Sequence, residues 1–453
     1  MPMRDRARWA LAVLLSTALL SAPAIWNRFP LLQYDTGGYL ARWFEHYLVP
    51  SRAVVYGLIL TAGAPLSFWP VVLVQSVLTV WIIALTLRVH GLGGRPGLLA
   101  GVIAALCAVT TLPWLTAILL TDIFAGLAVL ALYLLLLRAD ALSRNEHIGP
   151  VALIGVSVAT HSATFAVLLA LLAAGALVSV IDRARLPLRR VAHGAAALTL
   201  GAFLVFAADG IVAGRVAWTP GGFALSFGRM LQDGIVKKYL DEHCARERLV
   251  LCAYKDDLPR DADTWFWGNA IFDKLGRFDG LDREMAHIAL ASIAAYPMLQ
   301  VETAIVAAAK QLVDVHTGEG VINSIWHTYG IIERYTPHLV PYMHAARQQT
   351  TGIDFTAINR LQYPIALLGL FALPVIAGFA LRRRGFTDIG ELAAASCLAI
   401  LANAFVCGVL SNPHDRYGAR LIWLALATAA IAAIRIYEAR ENLPAADAAA
   451  ARP

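Results

Sequence analysis

Charged residues are scarce in this sequence. Asp, Glu, Lys and Arg make up 15% of its 453 residues, and 59% are hydrophobic. A soluble domain carries about 25% charge and about 45–50% apolar residues. The shortage excludes a water-soluble globular chain. The apolar residues fall in runs of roughly 15–22, the length that crosses a bilayer, so the fold class read here is all-α, a polytopic transmembrane helical bundle. Familiar catalytic signatures are also missing. There is no G-x-S-x-G, no Walker loop, no H-E-x-x-H and no C-x-x-C pair, which removes any motif basis for serine-hydrolase, P-loop, zincin or dithiol chemistry. The 12 histidines are scattered, and His338 and His344 make no convincing ligand set. No metal or other cofactor is indicated. The net charge of +6 is spread over short loops and gives no nucleic-acid footprint.

Ten apolar runs are present, near 8–25, 68–88, 97–113, 122–137, 149–160, 162–181, 191–208, 362–381, 391–410 and 420–436. They predict ten spans. The first run has no tidy cleavage site after it and reads as a retained span rather than a signal. Ala53 to Ala64 is too short to cross and reads as interfacial or re-entrant. Basic loops test the count, because short cytoplasmic loops collect Arg and Lys. With the N-terminus inside, ten spans place Arg88 and Arg95, Arg138 and Arg144, the four arginines of 183–190, Arg382 to Arg384, and Arg435 and Arg440 all on the cytoplasmic side. The predicted organisation is a transmembrane module at 1–208, an extracytoplasmic, mostly helical cap at 209–360, C-terminal transmembrane helices at 361–440 and a disordered tail at 441–453. Both termini are cytoplasmic. The Ala-, Leu- and Arg-rich, Lys-poor composition is that of a bacterial inner-membrane protein.

Within the cap, 279–315 reads as helix broken at Pro297, lying against the membrane or the other helices, and 252–268 reads as loop. Cys244 and Cys252 lie in a polar segment, eight apart, and in an oxidising compartment they predict a local disulfide. The other three cysteines sit in apolar runs as core residues.

The same arrangement gathers four polar stretches on the outer side. Asp35, in "LQYDTGGYL", follows the first span. A carboxylate there can serve as a general base or simply be solvated, with Tyr34, Tyr39 and Trp43 as an aromatic belt. Asp122 opens the run "TDIFAGLAVLALYLLLL", either as a helix cap with Thr121 or as a second functional acid. His161 interrupts an apolar stretch, as a turn residue or a substrate contact. In "SNPHDRYGARLIW", His414, Arg416 and Arg420 stand close together. Arg presents a planar fork suited to phosphate oxygens, and Arg416 and Arg420 are spaced to share one helical face.

Taken together these stretches resemble the GT-C superfamily of membrane glycosyltransferases, the protein O-mannosyltransferase-like and aminoarabinose-transferase-like enzymes. Asp35 and Tyr39 match the acid and tyrosine of its first outer loop. Arg52 and Tyr56 in "SRAVVYGLIL" look like its interfacial helix, Gln75 like its span glutamine, and Asp122 like its second outer acid. "THSATF" and "HDRYGAR" are similar to its His/Ser turn and its late Arg-Tyr motif. The chain carries one acid in the first loop where many relatives have two, and no proline after Arg52. The resemblance implies transfer of a sugar from a polyprenyl-phosphate donor to an acceptor (glycan, lipid or protein) on the outer face, with inversion. Asp35 and Asp122 would be catalytic. Tyr39, Arg52, His161, His414, Arg416 and Arg420 would bind substrate. Some relatives use a divalent metal. Two other readings fit the same sequence, a transporter or flippase of a lipid-linked or anionic substrate, and a non-catalytic cell-envelope assembly protein.

Overall fold

The protein is described here from a computed structural model covering residues 3–48, 52–214, 216, 218–219 and 222–450. Among these it is all helix, 22 α-helices joined by short 3-10 and π turns, with one isolated two-residue bridge and no sheet. The N-terminal half runs α1 (Met3–Asn27), α2 (Tyr34–Glu45), α3 (Val54–Gly63), α4 (Trp69–Leu87), α5 (Pro96–Val109), α6 (Leu112–Ala117), α7 (Asp122–Leu137), α8 (Arg144–Thr160), α9 (Ser162–Ile181) and α10 (Leu188–Ala213).

The ten apolar runs are helical, the one at 97–113 passing from α5 into the first residues of α6, but not all ten are spans by length. Seven helices are long and apolar enough to cross a bilayer: α1, α4, α9, α10, Thr356–Ala380, Thr387–Val409 and Asp415–Glu441. Counting the pair Arg277–Ala295 and Pro297–Val313 as one broken span gives eight, although the two are bent by 106° at Pro297. This is a multi-pass membrane protein. The runs at 97–113, 122–137 and 149–160 form α5, α7 and α8, of 14, 16 and 17 residues. At 1.5 Å per residue they reach about 21–26 Å, short of the roughly 30 Å hydrocarbon layer. The reason is clearest for α7. Every residue from Asp122 to Leu136 is buried, walled by α4, α8, α9, α10 and the two last long helices. Its apolarity answers to protein neighbours rather than to lipid.

The basic loops meet at one end of the bundle. Arg138 and Arg185 both pair with Glu391, Arg190 with Asp140, Arg88 with Glu146, Arg95 with Glu438 and Arg435 with Asp388. The segment between α10 and Thr356 divides between two cores. Residues 224–289 enclose Phe227, Trp265, Phe272 and Met285 in a core of their own, whereas Val321, Ile325, Tyr329 and Ile332 pack into the core of the membrane helices. The disulfide Cys244–Cys252 lies in the first part. The stretch 252–268, read as loop, includes a helix at Ala262–Gly268, started by Asp261, whose carboxylate accepts from Thr264 N at 2.7 Å. The last helix continues to Ala450, into the stretch read as a tail, and 451–453 lie outside the described residues.

Candidate functional site

The first loop is built to hold Asp35 still. Leu31 forms the isolated parallel bridge with Ile118, donating to Ala117 O at 3.0 Å and accepting from Leu119 N at 2.9 Å. This ties the segment before Asp35 to the turn before Asp122. Gln33 then caps α2, its side chain accepting from Asp35 N at 2.7 Å, while Thr36 Oγ1 accepts from Gln33 N at 3.0 Å. Gly37 lets α2 lie backbone-to-backbone on the helix Trp326–Tyr335. A Cβ there would stand 2.6 Å from Thr328 Cα. Thr328 Oγ1 accepts from Gly37 N at 3.0 Å and donates within 3.1 Å to the carbonyls of Gln33 and Tyr34.

Asp35 is buried, and two guanidiniums grip it. Arg52, just before α3, takes Oδ1, and Arg416 takes Oδ2 at 2.5 Å. Burial pushes this carboxyl up, but the two arginines outweigh it and hold it down at about 2. Arg52 also lies over the rings of Tyr39 and Trp267, at 5.8 and 5.9 Å. One turn along the last helix, Arg420 is fully buried. It faces Asp122 at 3.8 Å, bonds His161 Nδ1 at 3.2 Å and donates from Nε to Asn403 Oδ1 at 2.9 Å. A guanidinium only donates, so His161 accepts through Nδ1 and is neutral in this arrangement. Neither Thr121 nor Asp122 caps α7 with its side chain, and the buried Asp122 Oδ1 has no hydrogen-bond partner. Tyr39 reaches Thr121 Oγ1 at 3.4 Å.

His414 closes the cluster on the cap side. Its Nδ1 bonds Glu319 at 2.6 Å, and its Nε2 lies 3.5 Å from Asp263. Burial alone would lower this imidazolium, but the two carboxylates push it up to about 10. Glu319 also accepts from Arg416 N at 2.8 Å. All eight sequence-derived residues thus fall in one connected cluster where α2, α3, α7, the α8–α9 turn and the last helix meet. Their division of labour differs from the expectation. Arg416 touches Asp35 directly instead of standing across a reacting carbon from it, and Arg420 is turned inward, engaged by other side chains rather than open to a phosphate.

Glu319, Asp263, Asn403 and Asp209 were not singled out from sequence. A signal existed for Glu319, which stands between two glycines of positive φ, Gly318 at +99° and Gly320 at +75°. A Cβ on Gly320 would strike the Gln33 side chain at 2.3 Å, so this turn docks on the first loop. Asp209 ends an otherwise apolar run in "LVFAADGIV".

Beside Arg52 and His161 a small cleft opens between α3, α8 and α10, lined by Val54, Val55, Val158 and Val205 together with Ser162, Asp209 and Thr219. Among the described residues no three His, Cys, Asp or Glu side chains converge as metal ligands would. No protein family, curated protein or solved structure matches this chain. The site is therefore read from its own geometry.

Proposed function

We propose that the chain is a membrane glycosyltransferase of GT-C type, taking a sugar from a polyprenyl-phosphate donor on the outer face of a bacterial inner membrane, with both termini cytoplasmic and the cap outside. One observation carries the reading. Two guanidiniums from distant parts of the chain, Arg52 and Arg416, converge on one anion, and Arg52 also borders the cleft between α3, α8 and α10. Paired guanidiniums suit phosphate oxygens, and the valines along the cleft offer apolar contact to a prenyl chain. The ion pairs of the basic loops at the other end of the bundle support the topology, since such loops collect in the cytoplasm.

In this reading the donor phosphate replaces the Asp35 carboxylate between the arginines. Released from both, Asp35 regains ordinary proton affinity and takes the acceptor's proton. The acceptor oxygen forms its bond to the anomeric carbon as the bond from that carbon to the phosphate oxygen breaks. The electron pair leaves on the phosphate, where Arg52 and Arg416 stabilise it. Arg420, held by Asp122, His161 and Asn403, positions the helix that carries Arg416. The cap lies over the site through Trp267, Asp263 and Glu319.

Binding of a short-chain polyprenyl phosphate and of the matching prenol to the protein in nanodiscs tests this. The phosphate is expected to bind at least about tenfold tighter than the alcohol, and Arg52→Ala or Arg416→Ala to remove that advantage. Equal binding of the two lipids, or indifference to both arginines, would sink the donor reading. Passage of a lipid-linked sugar across the bilayer without transfer would favour a flippase instead.

A further inference from the structure

The cleft beside Arg52 holds a second acid that the transfer chemistry above leaves unused. Asp209, near the end of α10, is only 5% exposed and lines the cleft with Arg52, Ser162, Trp218 and Thr219. Among the described residues no hydrogen bond or ion pair to its carboxylate is seen, whereas Asp35 and Asp122 each meet an arginine. Its carboxylate lines the open cleft, and a ligand bringing hydrogen-bond donors there would supply a partner. Trp218 stands in the same wall, its ring fixed by Phe165 at 4.8 Å and Phe206 at 5.9 Å.

We infer that Asp209 and Trp218 form the subsite for the sugar ring of the donor, and that this sugar is neutral with vicinal free hydroxyls. The inference rests on the donor reading above. Two adjacent hydroxyls of a pyranose can each donate to one carboxylate oxygen, and the apolar face of the ring can lie on an indole. Ser162 adds a hydroxyl to the same wall. Arg52 borders the cleft as well, so a single donor can place its phosphate on the guanidinium and its sugar against Asp209. An acidic sugar would bring a second carboxylate to Asp209 and be repelled.

Three probes test it on the full chain in nanodiscs: a short-chain polyprenyl phosphate, the same lipid phosphate carrying a hexose, and one carrying a hexuronic acid. The wild type should bind the hexose form about tenfold tighter than the bare lipid phosphate, and the hexuronate form no tighter than the bare one. Asp209→Asn should lose most of the hexose advantage, bind bare lipid phosphate as the wild type does, and admit the hexuronate on nearly equal terms with the hexose. An unchanged hexose advantage in Asp209→Asn overturns the inference. So does tightest binding of the hexuronate by the wild type, and so does loss of bare lipid-phosphate binding in the variant, which would make Asp209 a structural residue. If the wild type binds no lipid phosphate at all, the donor reading fails and takes this inference with it.

Discussion

At the residue scale, Asp35 is a buried carboxylate held ionised by Arg52 and Arg416, and the proposed mechanism needs a donor phosphate to release it. Asp35→Asn is expected to lower transfer by about 10²-fold or more while leaving lipid-phosphate binding intact, measured as initial rates and as equilibrium binding on the same preparation. Arg416→Lys should weaken lipid-phosphate binding about tenfold, because an ammonium cannot offer the two-pronged contact of a guanidinium. The pairing also has a pH signature. The folded value of Asp35, about 2, lies below the ordinary 3.8, so its contribution to stability is complete above about 3.8 and is lost as pH falls through about 2. The sequence made Asp35, Asp122, His161 and Arg416 visible because each is a polar residue at the end of an apolar run. Hydropathy marked neither Asp263 nor Glu319, because the cap has no span boundaries to measure them against, and only the glycines on either side of Glu319 set it apart.

At the element scale, the docking of α2 on the helix Trp326–Tyr335 is what ties the first loop to the segment after the cap's own core. Gly37→Ala places a Cβ 2.6 Å from a backbone atom of Thr328, which neither helix can avoid without moving. A loss of about 1–3 kcal/mol is expected, read as a lower unfolding temperature in detergent together with weaker lipid-phosphate binding. An unchanged unfolding temperature would show that the contact is dispensable. The loop before the last helix is latched to the cap by His414. Its folded value, about 10, lies above the ordinary 6.5, so the latch contributes in full below about 6.5 and is lost as pH rises through about 10. His414→Gln should flatten that alkaline loss in a thermal-unfolding series. Element lengths mark where hydropathy misleads. The runs that became α5, α7 and α8 are as apolar as true spans, because burial against helices and burial in lipid select the same side chains. Break positions were more legible, since Pro297 both removes a donor and starts a new helix.

For the whole molecule, the arrangement has a polarity. Arginine–carboxylate pairs stitch the basic loops at one end, and the Asp35 cluster with the cap lies among the loops at the other. Single cysteines introduced at Asp256 in the cap and at Arg144 before α8, in a chain keeping its disulfide, should react with a membrane-impermeant maleimide only from outside and only after permeabilisation, respectively. Labelling of the cap position from the cytoplasm alone would invert the whole scheme. The general architecture was legible because a bilayer imposes a length and a charge rule on any chain that crosses it. The meeting of Arg52 with Arg416 was not, since nothing local records which outer loops converge. The most direct test of that convergence as a catalytic site is transfer of labelled sugar from a polyprenyl-phosphate donor panel in proteoliposomes. The account predicts transfer by the wild type, with Asp35→Asn and Arg416→Ala each reduced by about 10²-fold or more. Full transfer by both variants, or none by the wild type with any donor, would contradict it.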